Sequence, residues 1–170
     1  MGSYVCLRGV GMAQEIERKF LVVGEYKHLA HSSLHLVQGY IASGRRTVRV
    51  RISDERAWLT IKGPSMDGGL SRFEWEKEIE AREALELLPL CEGALIDKHR
   101  YLIKVENHTF EVDEFHGDNE GLTIAEVELS ATDEAFPRPE WLGEEVTGIK
   151  RYYNSHLRAN PYKEWSEELK

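Results

Sequence analysis

The sequence predicts a mainly β protein of the α+β class, a closed eight-stranded antiparallel barrel with a few outer helices. Polar and apolar residues alternate through eight segments, short turns join most of these segments, and nearly every segment carries charges on one face. Short turns make neighbouring strands antiparallel, and closing the sheet removes its exposed edges. At 170 residues, the chain is long enough for one domain with a substantial core.

The eight predicted strands follow one another with turn residues between them. They span roughly residues 14–23, 34–42, 46–53, 56–62, 70–80, 95–105, 109–115 and 121–130. The segment between the fourth and fifth strands contains Pro64 and the Asp67-Gly68 pair, which are typical of a turn. On the face opposite the charges, Phe73 and Trp75 are expected to pack in the core.

Helices are expected in three places between and after the strands. Helix formers at residues 81–90 predict one that ends near Pro89. Thr132 and Asp133 can cap a second, short helix that the following prolines would end, and residues 147–157 predict a third.

The chain is expected to form a single structural unit over residues 13–157. Residues 1–12 precede the patterned sequence and are interpreted as a leader, an expression scar or an upstream start. Residues 158–170 are interpreted as a surface tail. No repeat or linker indicates a second domain.

The composition argues against several classes of partner. The chain has 22 Lys and Arg against 30 Asp and Glu, a net charge of −8, which disfavours nonspecific binding to nucleic acid or to a membrane surface. No apolar run approaches the roughly 20 residues of a membrane helix. Cys6 and Cys91 have no CxxC spacing, which fits a reducing compartment and predicts a cytoplasmic protein.

The first strand shows the unusual charge pattern in its residues 15–22, EIERKFLV. Glu15, Glu17 and Lys19 alternate along one face. Later strands carry charges in the same way, at Arg49, Arg51, Lys62, Arg72, Glu74, Glu76, Glu78, Lys98, Arg100, Glu111, Asp113, Glu126 and Glu128. A solvated face is the alternative for any one strand. Same-sign neighbours repel each other, so stability alone does not favour the repeated pairs.

A barrel could turn these charged faces inward, and such a lumen is costly unless its charges are paired or bind ions. Carboxylate pairs suit hard divalent cations such as Mg²⁺, whereas lysine and arginine suit phosphate oxygens. The two sets together predict a site for a metal-bound polyphosphate.

The order of the motifs resembles that of the CYTH superfamily, the triphosphate tunnel metalloenzymes. EIERKF contains the ExExK signature, and VRVR, TIK, LSRFEWE, DKHRY, FEVDEF, AEVEL and KRYYN follow in the family's order over residues 13–157. The resemblance implies a closed eight-stranded tunnel, dependence on a divalent metal, and cleavage or binding of triphosphate groups.

The resemblance also implies a role for each charged position. The implied metal ligands, for Mg²⁺ or Mn²⁺, are Glu15, Glu17, Glu74, Glu76, Asp113, Glu126 and Glu128. The implied substrate-binding residues are Lys19, Arg49, Arg51, Lys62, Arg72, Lys98, Arg100, Lys150 and Arg151. Direct catalytic roles are implied for Lys19, Glu76, Arg100 and Glu128.

The expected activity is hydrolysis of inorganic tripolyphosphate to pyrophosphate and phosphate, as in the bacterial branch that this chain resembles. The alternatives are a nucleoside or thiamine triphosphatase, a class IV-type adenylate cyclase, and a non-catalytic polyphosphate- or nucleotide-binding protein. A small-molecule triphosphate is the expected partner, without nucleic acid or membrane, and a homodimer is left open. The histidines, including His35, His99 and His116, are interpreted as surface or structural residues.

Overall fold

The structure is a computed structural model that describes residues 16–66 and 71–166, without the side chains of residues 64–66, 71 and 72. Its strands are β1 (Ile16–Val22), β2 (Ser32–Ala42), β3 (Thr47–Ser53), β4 (Arg56–Met66), β5 (Ser71–Ile79), β6 (Ile96–Val105), β7 (His108–Phe115), β8 (Thr123–Leu129) and β9 (Leu142–Glu145). Its α-helices are α1 (Ala81–Leu87) and α2 (Asn154–Leu157). Single 3₁₀ turns lie at Lys27–Leu29, Leu88–Leu90, Gly117–Asn119, Lys150–Tyr152 and Tyr162–Glu164.

The strands form one antiparallel sheet in the order β5-β4-β3-β2-β6-β7-β8-β1-β9. The predicted mainly β, antiparallel fold is therefore confirmed, and all eight predicted strands are present. The described residues contain a ninth strand, and no hydrogen-bonded pairing among them joins β5 to β9. Closure of the barrel by hydrogen bonds is thus not confirmed, because β9 pairs with the side of β1 that faces away from β8.

The segment between β8 and β9 is not the short helix that Thr132 and Asp133 were expected to cap. The carboxylate of Glu134 accepts hydrogen bonds from both the amide and the hydroxyl of Ser130, each at 2.6 Å, which closes a turn. The chain then runs on to β9, which the sequence analysis did not predict.

The third expected helix is much shorter than predicted. Residues 147–157 contain only a 3₁₀ turn and the four-residue α2. Gly148 has a φ of +79°, and Tyr153 is extended between the two turns, so a continuous helix cannot form.

The apolar faces of the strands point away from the charged face and are covered by the connecting segments. Ala84 of α1 packs over Val50 and Ala57. Trp141, which precedes β9, packs with Phe20 and Phe110. This arrangement places the cores outside the curved sheet and leaves its inner face to the charged residues.

Two expectations about the burial of apolar side chains are wrong. Trp165, in the segment expected to be a surface tail, is 5% exposed and packs in a core cluster with Tyr152 and Leu157. Phe73 and Trp75, expected in the core, are 57% and 42% exposed, because β5 is an edge strand.

In the described part of the chain, no helix combines the length and the apolar character needed to cross a membrane.

Candidate active site

A cavity of about 850 Å³ lies on the charged face of the sheet. Side chains from each of the strands β1 to β8 line it, so the curvature of the sheet brings distant strands around one space. The predicted site residues that line it are Glu17, Lys19, Arg49, Arg51, Lys62, Glu74, Glu76, Lys98, Arg100, Glu126 and Glu128. The charged side chains therefore converge around a hollow interior.

Strand register explains why these residues meet. In the β1–β8 pair, Glu17 lies directly opposite Glu128, and Lys19 lies opposite Glu126. In the next pair, Glu111 of β7 lies opposite Glu126. Because alternate residues of a strand share a face, each strand contributes its charged pair to the same side.

Lys19 connects the acidic strands. Its side chain is 6% exposed, and its Nζ donates a hydrogen bond to Glu126 and lies 3.0 Å from Oε1 of Glu17. Burial lowers the pKa of Lys19, but the negative charges of Glu126 and Glu17 outweigh burial and raise this pKa above its ordinary value. Lys19 is therefore a cation held against carboxylates inside the cavity.

Asp113 holds two cations in place behind the cavity surface. Its carboxylate is 1% exposed and accepts hydrogen bonds from Lys98 Nζ at 2.5 Å and from Arg100 Nε and Nη2 at 2.7 Å. Burial raises the pKa of Asp113, yet Lys98 and Arg100 bring it below its usual range. Asp113 does not itself line the cavity, so its position suits orientation of Lys98 and Arg100, and its implied metal ligation stays a prediction.

The opposite wall carries the arginines of β3 and the acidic pair of β5. Arg49 Nη2 and Arg51 Nη2 lie 3.5 and 3.7 Å from Glu76 Oε2, which also accepts a hydrogen bond from Thr60 at 2.6 Å. Lys62 Nζ lies 2.9 Å from its register partner Glu74. On this wall too, each cation of the cavity faces a carboxylate.

The remaining predicted positions lie elsewhere. Glu15 and the side chain of Arg72 lie outside the described residues. Lys150 and Arg151 do not line the cavity; the Arg151 guanidinium lies over the rings of Tyr152, at 4.9 Å, and Trp165, at 5.3 Å. Their implied contact with the triphosphate stays a prediction.

Several neutral residues of the cavity were missed by the sequence analysis. Gln38 and Tyr40 of β2 are 2% and 7% exposed and lie between the basic strands β3 and β6. Burial raises the pKa of the Tyr40 phenol, against the opposing charge of Arg49. Tyr153 lies over Lys19, with 5.3 Å between Nζ and the ring centroid. The alternation of β2 could have indicated the first two, but neutral side chains do not form a charge pattern.

One part of the cavity wall is polar but contains no lysine or arginine. Asn107, His108, Thr109 and Ser130 line it together with Glu134, whose carboxylate lies 2.9 Å from His108 Nε2. Hydrogen bonds from Ser130 and His108 lower the pKa of Glu134 to about 2, so this carboxylate stays ionised at neutral pH. These five residues offer hydrogen bonds and include no lysine or arginine for a phosphate.

The acidic residues have the donor chemistry of a divalent-metal site. Glu17, Glu126 and Glu128 supply carboxylate oxygens, which Mg²⁺ and Mn²⁺ prefer, and Glu17 faces Glu128 across the strand pair. Like charges in direct opposition repel, and a cation between them would remove that repulsion. Among the described residues, no three acidic, histidine or cysteine side chains converge tightly enough to hold an ion as they stand.

Comparison with known proteins agrees with the motifs. The CYTH domain matches residues 13–154. An inorganic triphosphatase of Acetivibrio thermocellus is 50% identical over 159 residues, covering 92% of this chain and all of that protein. An inorganic triphosphatase of Nitrosomonas europaea is 38% identical over 151 residues, covering 84% of this chain and 95% of that protein.

A solved structure shows the same fold. The crystal structure of the inorganic triphosphatase NE1496 superimposes with a TM-score of 0.68 at 35% identity, covering 86% of this chain and 95% of that one. These relatives are hydrolases, as the motifs predicted.

Proposed function

Since the chain belongs to the CYTH family, we propose that it is a divalent-metal-dependent triphosphatase that hydrolyses inorganic tripolyphosphate to pyrophosphate and phosphate. One observation carries the proposal. Cationic side chains of four strands and carboxylates of four strands line a single cavity, so a polyanion and its divalent counterions have partners in one place. The names of the two curated relatives support the choice of substrate.

The basic residues bind and orient the substrate. Arg49, Arg51 and Arg100 present guanidinium groups that match pairs of phosphate oxygens, and the lysines act as point charges. As a P–O bond to the terminal phosphorus breaks, negative charge builds on the leaving pyrophosphate. Lys98 and Arg100, whose positions the buried Asp113 fixes, stabilise this charge.

The acidic residues would hold Mg²⁺ or Mn²⁺, with Glu17, Glu126 and Glu128 on one wall and Glu74 and Glu76 on the other. When bound, such an ion offsets charge on the phosphate oxygens and makes the attacking water more acidic. The same carboxylates are the nearby acceptors for the proton that the water releases. Lys19 connects the basic residues that bind substrate with the acidic residues that would hold the metal, since it pairs with Glu17 and Glu126 and also lines the cavity.

A second candidate substrate is an organic triphosphate, such as a nucleoside or thiamine triphosphate. A volume of about 850 Å³ is within the range of cavities that bind drug-sized ligands, and it exceeds the needs of three linked phosphates. The wall formed by Asn107, His108, Thr109 and Ser130 could contact the organic group through hydrogen bonds.

Phosphate release from tripolyphosphate, ATP and thiamine triphosphate, each with Mg²⁺ or Mn²⁺, tests the proposal. We expect the highest kcat/KM with tripolyphosphate and no release in EDTA. A preference for ATP or thiamine triphosphate would support the second candidate, and cyclic AMP formation would identify a cyclase. Binding of all three without any product would overturn catalysis and support a sensor.

The cysteine pattern and the charge of −8 support a cytoplasmic location without a nucleic-acid or membrane partner.

A further inference from the structure

Three histidines form a row on the outer face of the sheet, on the side away from the cavity. The row consists of His35 in β2, His99 in β6 and His116 directly after β7. His99 lies between Lys98 and Arg100, which line the cavity, so its side chain points to the opposite face. None of the functions proposed above uses this histidine row.

The three imidazoles contact one another across the strands. His35 and His99 are register partners, and their rings stack with 4.8 Å between centroids and 24° between planes. His99 Nδ1 lies 2.7 Å from His116 Nε2, a distance at which the two nitrogens share one proton. Two imidazole nitrogens therefore already point at each other.

Carboxylates lie beside the outer nitrogens of the row. Asp97 Oδ1 is 2.8 Å from His35 Nε2, and Glu120 Oε2 is 3.6 Å from His116 Nδ1. A histidine that binds a metal commonly donates its other ring N–H to a carboxylate, which fixes the ring and makes the ligating nitrogen more basic. His35 has this arrangement, which leaves its Nδ1 for an ion. Glu120 lies just beyond hydrogen-bond distance of His116 Nδ1, so it offers that ring a nearby negative charge, and His116 Nε2 is the nitrogen on the side of His99.

We propose that the histidine row is a second metal site, which binds a borderline divalent ion of the Zn²⁺ and Cu²⁺ type. Imidazole nitrogen suits these ions, whereas Mg²⁺ prefers the oxygens of the cavity. The ion replaces the proton shared by His99 and His116, and a shift of the His35 ring that keeps Nε2 beside Asp97 supplies Nδ1 as a third ligand. Zn–N bonds of about 2.0–2.1 Å in a tetrahedral site separate ligand nitrogens by roughly 3.3 Å, so the two nitrogens need to move apart by about 0.6 Å and both rings need to turn until their lone pairs point at the ion.

Ions from solvent can reach the row. The His35 side chain is 45% exposed and that of His116 is 29% exposed, while His99 is half-buried. Because the three histidines come from or directly follow three neighbouring strands, a bound ion would also crosslink β2, β6 and the end of β7. Zn²⁺ should therefore raise the melting temperature.

Calorimetric titration of Zn²⁺ into the protein, with excess Mg²⁺ to occupy the carboxylates of the cavity, tests the site. We expect one equivalent to bind the wild type and His116→Gln to bind at least tenfold more weakly. His28→Gln, which changes an exposed histidine outside the row, should bind as the wild type does. Equal affinity of the wild type and His116→Gln, or no binding to the wild type, would overturn the proposal.

A spectroscopic measurement identifies the ligand atoms. The electron paramagnetic resonance spectrum of the Cu²⁺ form, also with excess Mg²⁺, should show hyperfine coupling to at least two nitrogens, and His99→Gln should reduce the number of coupled nitrogens. Asp97→Asn should weaken binding about 10–100-fold, as loss of an orienting carboxylate does. Far-ultraviolet circular dichroism checks that each variant is folded. An oxygen-only spectrum in the wild type contradicts the site.

Discussion

Lys19 Nζ donates a hydrogen bond to the carboxylate of Glu126, the residue directly opposite it in the β1–β8 pair. Arg100 likewise pairs with Glu111, and Lys62 lies 2.9 Å from Glu74. In each pair, a residue suited to phosphate is joined to a residue suited to a metal ion. The opposite charges of the cavity therefore neutralise one another, and the proposed metal ion and triphosphate would each displace a protein partner. Because each ligand releases residues that bind the other, their binding should be positively coupled.

Glu126→Gln tests this coupling without turnover. The substitution removes one of the two carboxylates that pair with Lys19, and with it a negative charge of the cavity. Tripolyphosphate should therefore bind about tenfold more tightly in EDTA, a gain of about 1.4 kcal/mol. Mn²⁺ should bind more weakly, and the rate of phosphate release should fall. Calorimetry with tripolyphosphate in EDTA measures the first effect, and Mn²⁺ titration measures the second. Glu140→Gln makes the same charge change at an exposed position and should alter neither; equal or weaker tripolyphosphate binding by Glu126→Gln would contradict the coupling.

Asp113→Asn separates a positioning role from a metal-binding role. The substitution leaves Lys98 and Arg100 near an amide in place of their buried counter-ion, so the free energy of unfolding should fall by about 3–5 kcal/mol. Urea unfolding in EDTA measures this loss. Asp118→Asn breaks a partly exposed ion pair with Lys163 and should cost much less. If Asp113 acted only as a metal ligand, the loss would be absent in EDTA.

The Arg18–Glu145 pair predicts a pH-dependent contribution to stability. Glu145 accepts hydrogen bonds from Arg18 Nε at 2.5 Å and Nη2 at 2.8 Å, and also from Thr147 at 2.7 Å, which ties β9 to β1. The hydrogen bond from Arg18 is the main cause that lowers the pKa of Glu145 from 4.5 to about 2. Because the folded state lowers this pKa, the stabilisation is complete above pH 4.5 and is lost as pH falls through about 2.

Glu145→Gln should therefore reduce the free energy of unfolding near pH 7 by roughly 1–2 kcal/mol, a figure reduced for solvent screening of a partly exposed pair. Urea unfolding at pH 7, 5, 4 and 3 should show the difference from wild type shrinking below pH 4.5. Glu78→Gln is the matched control, because Glu78 pairs with Arg56 through two hydrogen bonds of 2.8 Å on the exposed edge. Its effect should be smaller, and a pH-independent difference for Glu145→Gln would refute the assignment.

The strands and the charged walls could be predicted from the sequence because both depend on local alternation. Glu126 and Glu128 share a face whatever their neighbours are, and the same holds for Arg49 and Arg51. β9 has only four residues and exists because β1 has a free side to pair with, which is a tertiary feature. Whether hydrogen bonds close the barrel likewise depends on which strand pairs with the side of β1 that faces away from β8.

The local sequence pattern also could not predict which apolar residues are exposed or which neutral residues line the cavity. Phe73 and Trp75 alternate like core residues, but their exposure follows from the edge position of β5. Gln38 and Tyr40 have no charge that would set them apart from other strand residues. The segment after residue 157 is rich in polar and charged residues, and nothing local indicates that Trp165 reaches a core cluster.

Trp165→Ala tests whether the C-terminal segment is part of the folded unit. The indole is 5% exposed, its ring meets Tyr152 edge-on at 5.4 Å, and its Nε1 donates to the Asn160 carbonyl at 3.0 Å. Truncation leaves a cavity beside Leu157 and Phe115, so the free energy of unfolding should fall by about 3–5 kcal/mol. Leu90→Ala removes an apolar side chain that is 61% exposed and should cost far less. Urea unfolding of both variants measures the difference; equal small losses would mean that the segment does not stabilise the fold, whereas a large loss for Trp165→Ala alone would extend the folded unit beyond residue 157.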